Sequence, residues 1–278
     1  MDSGIYSTSS LLIRQTPWWK LPRLKRWFDK VTFHLGGVGI MTIQLFRDAR
    51  KRWEAGEIFR QMDALGVQSI SITSLTALFT GMVLALQTAY ALSQFGGKLF
   101  VGRVVVLSVC RELGPVLTAL MVAARCGAGI TAELGSMAVT EQVDALRALG
   151  ASPIRKLVLP RVVAVTVMLP LLTMLTDFIG MVGGLFIATV ELKIGAAFYL
   201  STVMQSTQTN DILHGLCKTP FFGFEIALIG CYNGLSATGG ADGVGRATTV
   251  AVVISSIAVL ATDFFLTKIF LSLPWGIN

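Results

Sequence analysis

Five apolar stretches, about residues 67–95, 101–126, 157–190, 212–235 and 248–273, are each long enough to cross a bilayer as a helix. That length leaves little choice. Inside hydrocarbon every backbone polar group must be satisfied within the protein, and a helix satisfies its own. The fold class read from the sequence is therefore an all-α membrane protein. The balance of residues agrees, because 53% are hydrophobic and only 14% charged, against about 25% charged in soluble domains. The net charge of +7 is distributed in a way that argues against nucleic acid as a partner. Eleven of the 23 Lys and Arg residues lie in the first 60 positions and five more between Arg125 and Arg161. Those are the places where the positive-inside rule puts cytoplasmic segments. Five crossings then place the N-terminal side in the cytoplasm and the C-terminal side outside.

Within the second stretch, Arg111-Glu112-Leu113-Gly114-Pro115 sets a charge pair and a proline at membrane depth. Each charge there costs about 3 kcal/mol on insertion scales, so the pair must face protein or water. Pro115 has no N–H for the carbonyl four residues back, that of Arg111, and so frees an acceptor beside the charges. Two readings stay open: a functional polar break, or an ion pair that locks two helices together.

Residues 1–17 are polar and read as a mobile segment. Residues 18–62 read as an interfacial and cytoplasmic region in which Trp18, Trp19, Trp27 and Phe28 alternate with basic residues and Gly36, Gly37 and Gly39 weaken the middle. Nothing in Ser3–Ile13 resembles a cleaved signal. Residues 63–278 carry the five spans. A short helix is expected over Gly195–Met204, and a turn at Gly239–Gly243. Cys110, Cys126, Cys217 and Cys231 read as small buried hydrophobes; neither they nor His34 and His214 have metal-ligand spacing. No metal site is expected, and no G-x-x-x-x-G-K-[ST] loop occurs, so any ATPase is another chain.

The polar stretch between the second and third spans reads as one helix over about residues 131–150. Val139, Val143, Leu146 and Leu149 recur at helical spacing, while Glu133, Glu141 and Asp144 supply an acidic side. Asp144 and Arg147 can pair at i,i+3, and Gly150 with Pro153 stops the helix. It either lies on its own membrane domain or is presented to the groove of a cytoplasmic partner. On the first span Leu84, Thr88, Ala91, Leu92 and Phe95 share one face, with Gln87 to one side near the depth of Arg111. That face either packs against a neighbouring helix or lines a cavity suited to acyl chains, with Arg111 and Glu112 at headgroup depth.

Several ordered motifs carry a resemblance: Phe79-Thr-Gly-Met-Val-Leu-Ala-Leu-Gln87, Arg111 to Leu120, Ala124-Arg-Cys-Gly-Ala128, Thr131-Ala-Glu-Leu-Gly135, Thr140-Glu-Gln142, Pro160-Arg161 and Gly245-Arg-Ala-Thr-Thr249. Over about residues 60–273 the chain resembles the MlaE (YrbE) family, the permease subunits of ABC transporters that move phospholipids or related lipids between membranes. The resemblance implies a homodimeric core in a bacterial inner membrane, two cytoplasmic ATPase subunits that carry ATP and Mg, and an MCE-domain lipid-binding partner on the outer side. It also implies a part in outer-membrane lipid asymmetry. The segment with Glu133, Val139, Glu141, Val143, Asp144, Leu146 and Arg147 would be its coupling helix, and lipid would sit near the first, second and fifth spans. The chain itself would hold no cofactor and no catalytic residue. The Gly96-Gly97 loop is where the family varies, so the fit to a ring-shaped partner is not fixed by it. Two rival classes are an ion-coupled secondary transporter using Glu112, Asp177 and Asp263, and a membrane-embedded lipid enzyme. The absence of a detectable internal repeat argues against the first, and the absence of a convergent nucleophile and base against the second.

Overall fold

The computed structural model describes residues 36–48 and 55–272. The chain divides into two compact units, residues 1–44 and 45–278. In the first, residues 36–44 are helical, and Gly36, Gly37 and Gly39 do not interrupt the helix as the sequence suggested. The expected mobile segment at 1–17, and the interfacial tryptophans, lie outside the described residues.

From residue 55 onward the described part of the second unit is helical, with no strand. Five of its helices are long and apolar enough to cross a membrane: α1 Ala55–Ser93, α2 Val101–Val139, α4 Ile154–Val190, α6 Thr209–Leu235 and α7 Gly240–Ser272. Two shorter helices, α3 Gln142–Ala148 and α5 Ala196–Ser206, fall between them. The fold class and the number of spans match the sequence reading, as does the short helix after the third span.

The boundaries differ in an instructive way. Helix α1 is already formed at Ala55, inside the region read as interfacial and cytoplasmic, and Glu57 accepts from Arg60 at 3.0 Å and from Gln61 at 2.9 Å, which supports a turn outside lipid. Helix α2 continues past Cys126 to Val139, into the polar stretch that was read as a separate helix over about residues 131–150. Its polar groups find partners on the way: the Thr131 hydroxyl contacts the Gly127 and Gly230 carbonyls at 2.7 and 3.0 Å, and Glu133 pairs with Arg161 at 2.7 Å. Helix α7 already begins at Gly240. Of the expected turn only Gly239 precedes it, and Gly239 and Gly240 have φ of 90° and 66°, a conformation glycine adopts without penalty.

Small residues set the helix spacing. A Cβ at Gly81 of α1 would overlap the Gly180 carbonyl of α4, and one at Gly183 would overlap the Leu78 carbonyl. Close backbone approach of this kind holds helices together where lipid offers no hydrophobic drive between them. Helix α4 packs most extensively against α1 and α6, and α7 lies on α6 and α2. Outside the bundle, α5 is anchored by Tyr199, 2% exposed, whose ring packs on Gly102 and whose hydroxyl lies beside Gly184. Burial pushes that hydroxyl up to about 12. Apolar side chains face outward along α1 (Leu75, Phe79, Val83) and α7 (Ile257, Leu260, Phe264), as lipid contact requires. Cys217 is exposed, contrary to expectation; it stands on the outer side of α6 beside the buried Lys218.

Candidate functional site

The break in α2 is a wide turn. Over Val109–Leu113 the helix takes up an extra residue, and the Gly114 N–H reaches back to the Val109 carbonyl. Such π-type turns gather at functional sites because they rotate side chains out of register. Here the turn points its two charges at different partners. Arg111 and Glu112, read from sequence as a pair, are not paired with each other. The Arg111 Nε donates to Asp211 Oδ1 at 2.7 Å, and its Nη2 bonds the same oxygen. Glu112 Oε2 accepts from Lys218 Nζ at 2.8 Å.

Lys218 is the hub. It projects from α6, is 0% exposed, and also reaches Asp263 Oδ1 at 3.0 Å and Thr267 Oγ1 at 2.6 Å, both on α7. Its remaining contact is the Arg111 carbonyl at 3.3 Å, the acceptor that Pro115 leaves unbonded. Three ammonium N–H groups are thus shared among four oxygens, and Thr267 passes a proton on toward Glu112 Oε1 at 3.3 Å. Two cations and three carboxylates therefore join α2, the start of α6 and α7. Lys218, Asp211 and Thr267 were missed in the sequence. The signal was present: Lys218 is a lone cation in an apolar run ahead of Pro220, and intramembrane charges are rare enough to single out.

Of the three carboxylates weighed for an ion-coupled transporter, Lys218 brings Glu112 and Asp263 together, while Asp177 of α4 lies apart, against Gly114. The first-span face is divided. Leu84 and Leu92 pack on the core of Ala85, Ala89, Val101, Val105 and Val109, and Thr88 is buried; Gln87, Ala91 and Phe95 are exposed. The buried seam is rotated toward Ala85 and Ala89 because that side meets α2.

The polar segment is not one helix. Thr140 and Glu141 break it, with Glu141 in the left-handed region at φ 60°, so Glu133 and Val139 belong to the end of α2, while Val143, Asp144, Leu146 and Arg147 belong to α3. The Glu141 N–H bonds back to the Ala138 carbonyl at 3.2 Å and closes the turn. Val143 is buried and Val139 and Leu146 are half-buried, while Glu141, Asp144 and Arg147 are exposed. Asp144 and Arg147 pair at 2.6 Å. Glu133 is bound to Arg161, which is 3% exposed and also donates to the Leu157 carbonyl at 2.6 Å.

A second polar junction links the N-terminal part of α1 to the C-terminal part of α2, where two more wide turns, Met62–Gly66 and Ala123–Gly127, face each other. Arg125 Nη1 donates to Ser69 Oγ at 2.7 Å and its Nη2 to Gln68 Oε1 at 3.2 Å, while Cys126 Sγ donates to the Leu65 carbonyl at 3.0 Å.

Residues 58–269 match the family model described as Permease MlaE. The chain is 45% identical over 213 residues to a protein of Rickettsia conorii named "Probable ABC transporter permease protein", covering 77% of this chain and 82% of that one. A Synechocystis protein of the same description is 43% identical over 246 residues, 88% of this chain and 92% of its own. The "Intermembrane phospholipid transport system permease protein MlaE" of Haemophilus influenzae is 38% identical over 213 residues, covering 76% and 82%.

Proposed function

The chain belongs to the MlaE permease family, and on that premise we propose that it is the membrane-spanning subunit of an ABC transporter that carries phospholipid across or out of a bacterial inner membrane. Two copies form the core. A cytoplasmic ATPase dimer supplies ATP and Mg, and an MCE-domain protein on the outer side exchanges lipid with it. The chain contributes no catalytic group.

The observation that carries this reading is the polar junction inside an apolar bundle. Arg111 commits two of its five N–H donors to one oxygen of Asp211 and remains 41% exposed, which leaves a guanidinium edge to hold a phosphate. Phe95, Ala91 and Gln87, exposed on α1, provide an apolar wall with a polar group for acyl chains. Leu84, Thr88 and Leu92 support that wall from behind. On the inner side, Glu141, Asp144 and Arg147 form the face offered to the ATPase, with Val143 and Leu146 fixing α3 beneath them. ATP drives the cycle only if the closed ATPase dimer prefers one arrangement of these helices over another.

The test is to purify the chain from native membranes in mild detergent and identify co-purifying proteins and lipids by mass spectrometry. An ATPase, an MCE-domain protein and bound phospholipid are expected. A chain recovered alone, active in vesicles under an ion gradient without ATP, would overturn the proposal in favour of an ion-coupled transporter using Glu112 and Asp263.

A further inference from the structure

Asp177 of α4 is 5% exposed, and its Oδ1 has no hydrogen-bond partner among the described residues. Each buried cation of the bundle is engaged elsewhere: Lys218 with Glu112 and Asp263, and Arg161 with Glu133. The half-exposed Arg111 is held by Asp211. The hydroxyls nearby are also committed, since Thr173 donates to the Leu169 carbonyl, Thr176 contacts the Thr173 carbonyl and Thr118, and Thr73 donates to the Ser69 carbonyl. Water offers little. The cavity lined by Thr118, Thr176 and Gly114 measures about 20 Å³, room for about one molecule. A bare carboxylate in this position would be a buried charge with no counter-ion and at most about one water beside it.

The contact on the other side is specific. A Cβ at Gly114 would overlap Asp177 Oδ1, and the same point lies 2.9 Å from the Val109 carbonyl oxygen. Glycine at 114 thus opens the slot that the carboxyl fills, next to the first carbonyl of the wide turn bearing Arg111 and Glu112. The neighbouring titratable groups on α2 are the buried Cys110 and the partnered Arg111 and Glu112. On α6 the titratable groups Asp211, His214 and Lys218 belong to the junction with Arg111 and Glu112, from which Asp177 lies apart.

We propose that Asp177 keeps a proton inside the bundle and that its O–H donates a hydrogen bond to the Val109 carbonyl, so that a neutral carboxylic acid fixes the turn that aims Arg111 and Glu112. Asp177 is then a positioning residue for the lipid site. The inference rests on the permease reading only for its transport readout.

The experiment uses the whole complex in phospholipid vesicles. Infrared spectra at neutral pH should contain the C=O stretch of a protonated carboxylic acid that disappears in Asp177→Asn. ATP-dependent lipid transfer should survive in Asp177→Asn, because an amide also donates, and fall at least about fivefold in Asp177→Ala, which loses the donor. A spectrum without an Asp177-dependent acid band, or an Asn variant as impaired as the Ala variant in a complex that assembles normally, would overturn the proposal. Should Ala not assemble, the infrared band and the Asn variant still decide. Absence of transfer by the unsubstituted complex would instead count against the permease reading, and the infrared result would stand apart from it.

Discussion

Lys218 is inaccessible to solvent, and two carboxylates from two helices depend on it. Removing one partner of a buried ion network costs about 3–5 kcal/mol, because the charges left behind have neither water nor a counter-ion. Lys218→Met should therefore lower the thermal unfolding temperature of the detergent-solubilised protein sharply. Adding Glu112→Gln and Asp263→Asn should restore most of the loss, since the uncompensated charges go with them. A triple variant no more stable than the single one would mean that Lys218 acts through packing alone. At this scale the sequence was half legible. Arg111 and Glu112 stood out because they sit beside each other and beside Pro115. Their true partners, 100 and 106 residues away along the chain, leave no trace in local spacing.

Among the elements, α3 shows where periodicity misleads. Val139, Val143 and Leu146 keep helical spacing across a joint, so the pattern alone reports one continuous helix. The left-handed Glu141 interrupts it, and nothing marks a glutamate as a residue for that conformation. A non-glycine residue there carries a cost of about 1 kcal/mol. Glu141→Gly should therefore leave folding stability unchanged or raise it by up to that amount in thermal denaturation, and Glu141→Val should lower it. On the proposed role of this face, the Gly variant should still bind the ATPase less well in a pull-down. Unaltered ATPase capture by Glu141→Gly would remove the carboxylate from the coupling surface. The ends of α1 and α2 were hard to place for a related reason: hydropathy stops reporting at the bilayer surface, whereas the helices continue, held by pairs such as Glu133 with Arg161.

For the whole molecule, the two helices of the first hairpin are described over 39 residues each, about 58 Å at 1.5 Å per residue, nearly twice a bilayer core. They project on the side where seventeen of the 23 basic residues are expected. With Cys217→Ser as background, a cysteine placed at Lys193 should react with an impermeant maleimide from outside intact cells. One placed at Arg147 should react only after the membrane is opened. The reverse pattern would invert the topology. The stitch of Arg125 and Cys126 to Ser69 and Leu65 divides the described part of α1 unequally, with about 21 Å from Ala55 to Ser69 and about 36 Å from Ser69 to Ser93. Treated as a rigid rod turning on that fulcrum, the helix magnifies what is done to it: a sideways push of 1 Å at Ala55 would emerge at Ser93 as roughly 1.7 Å of swing in the opposite sense.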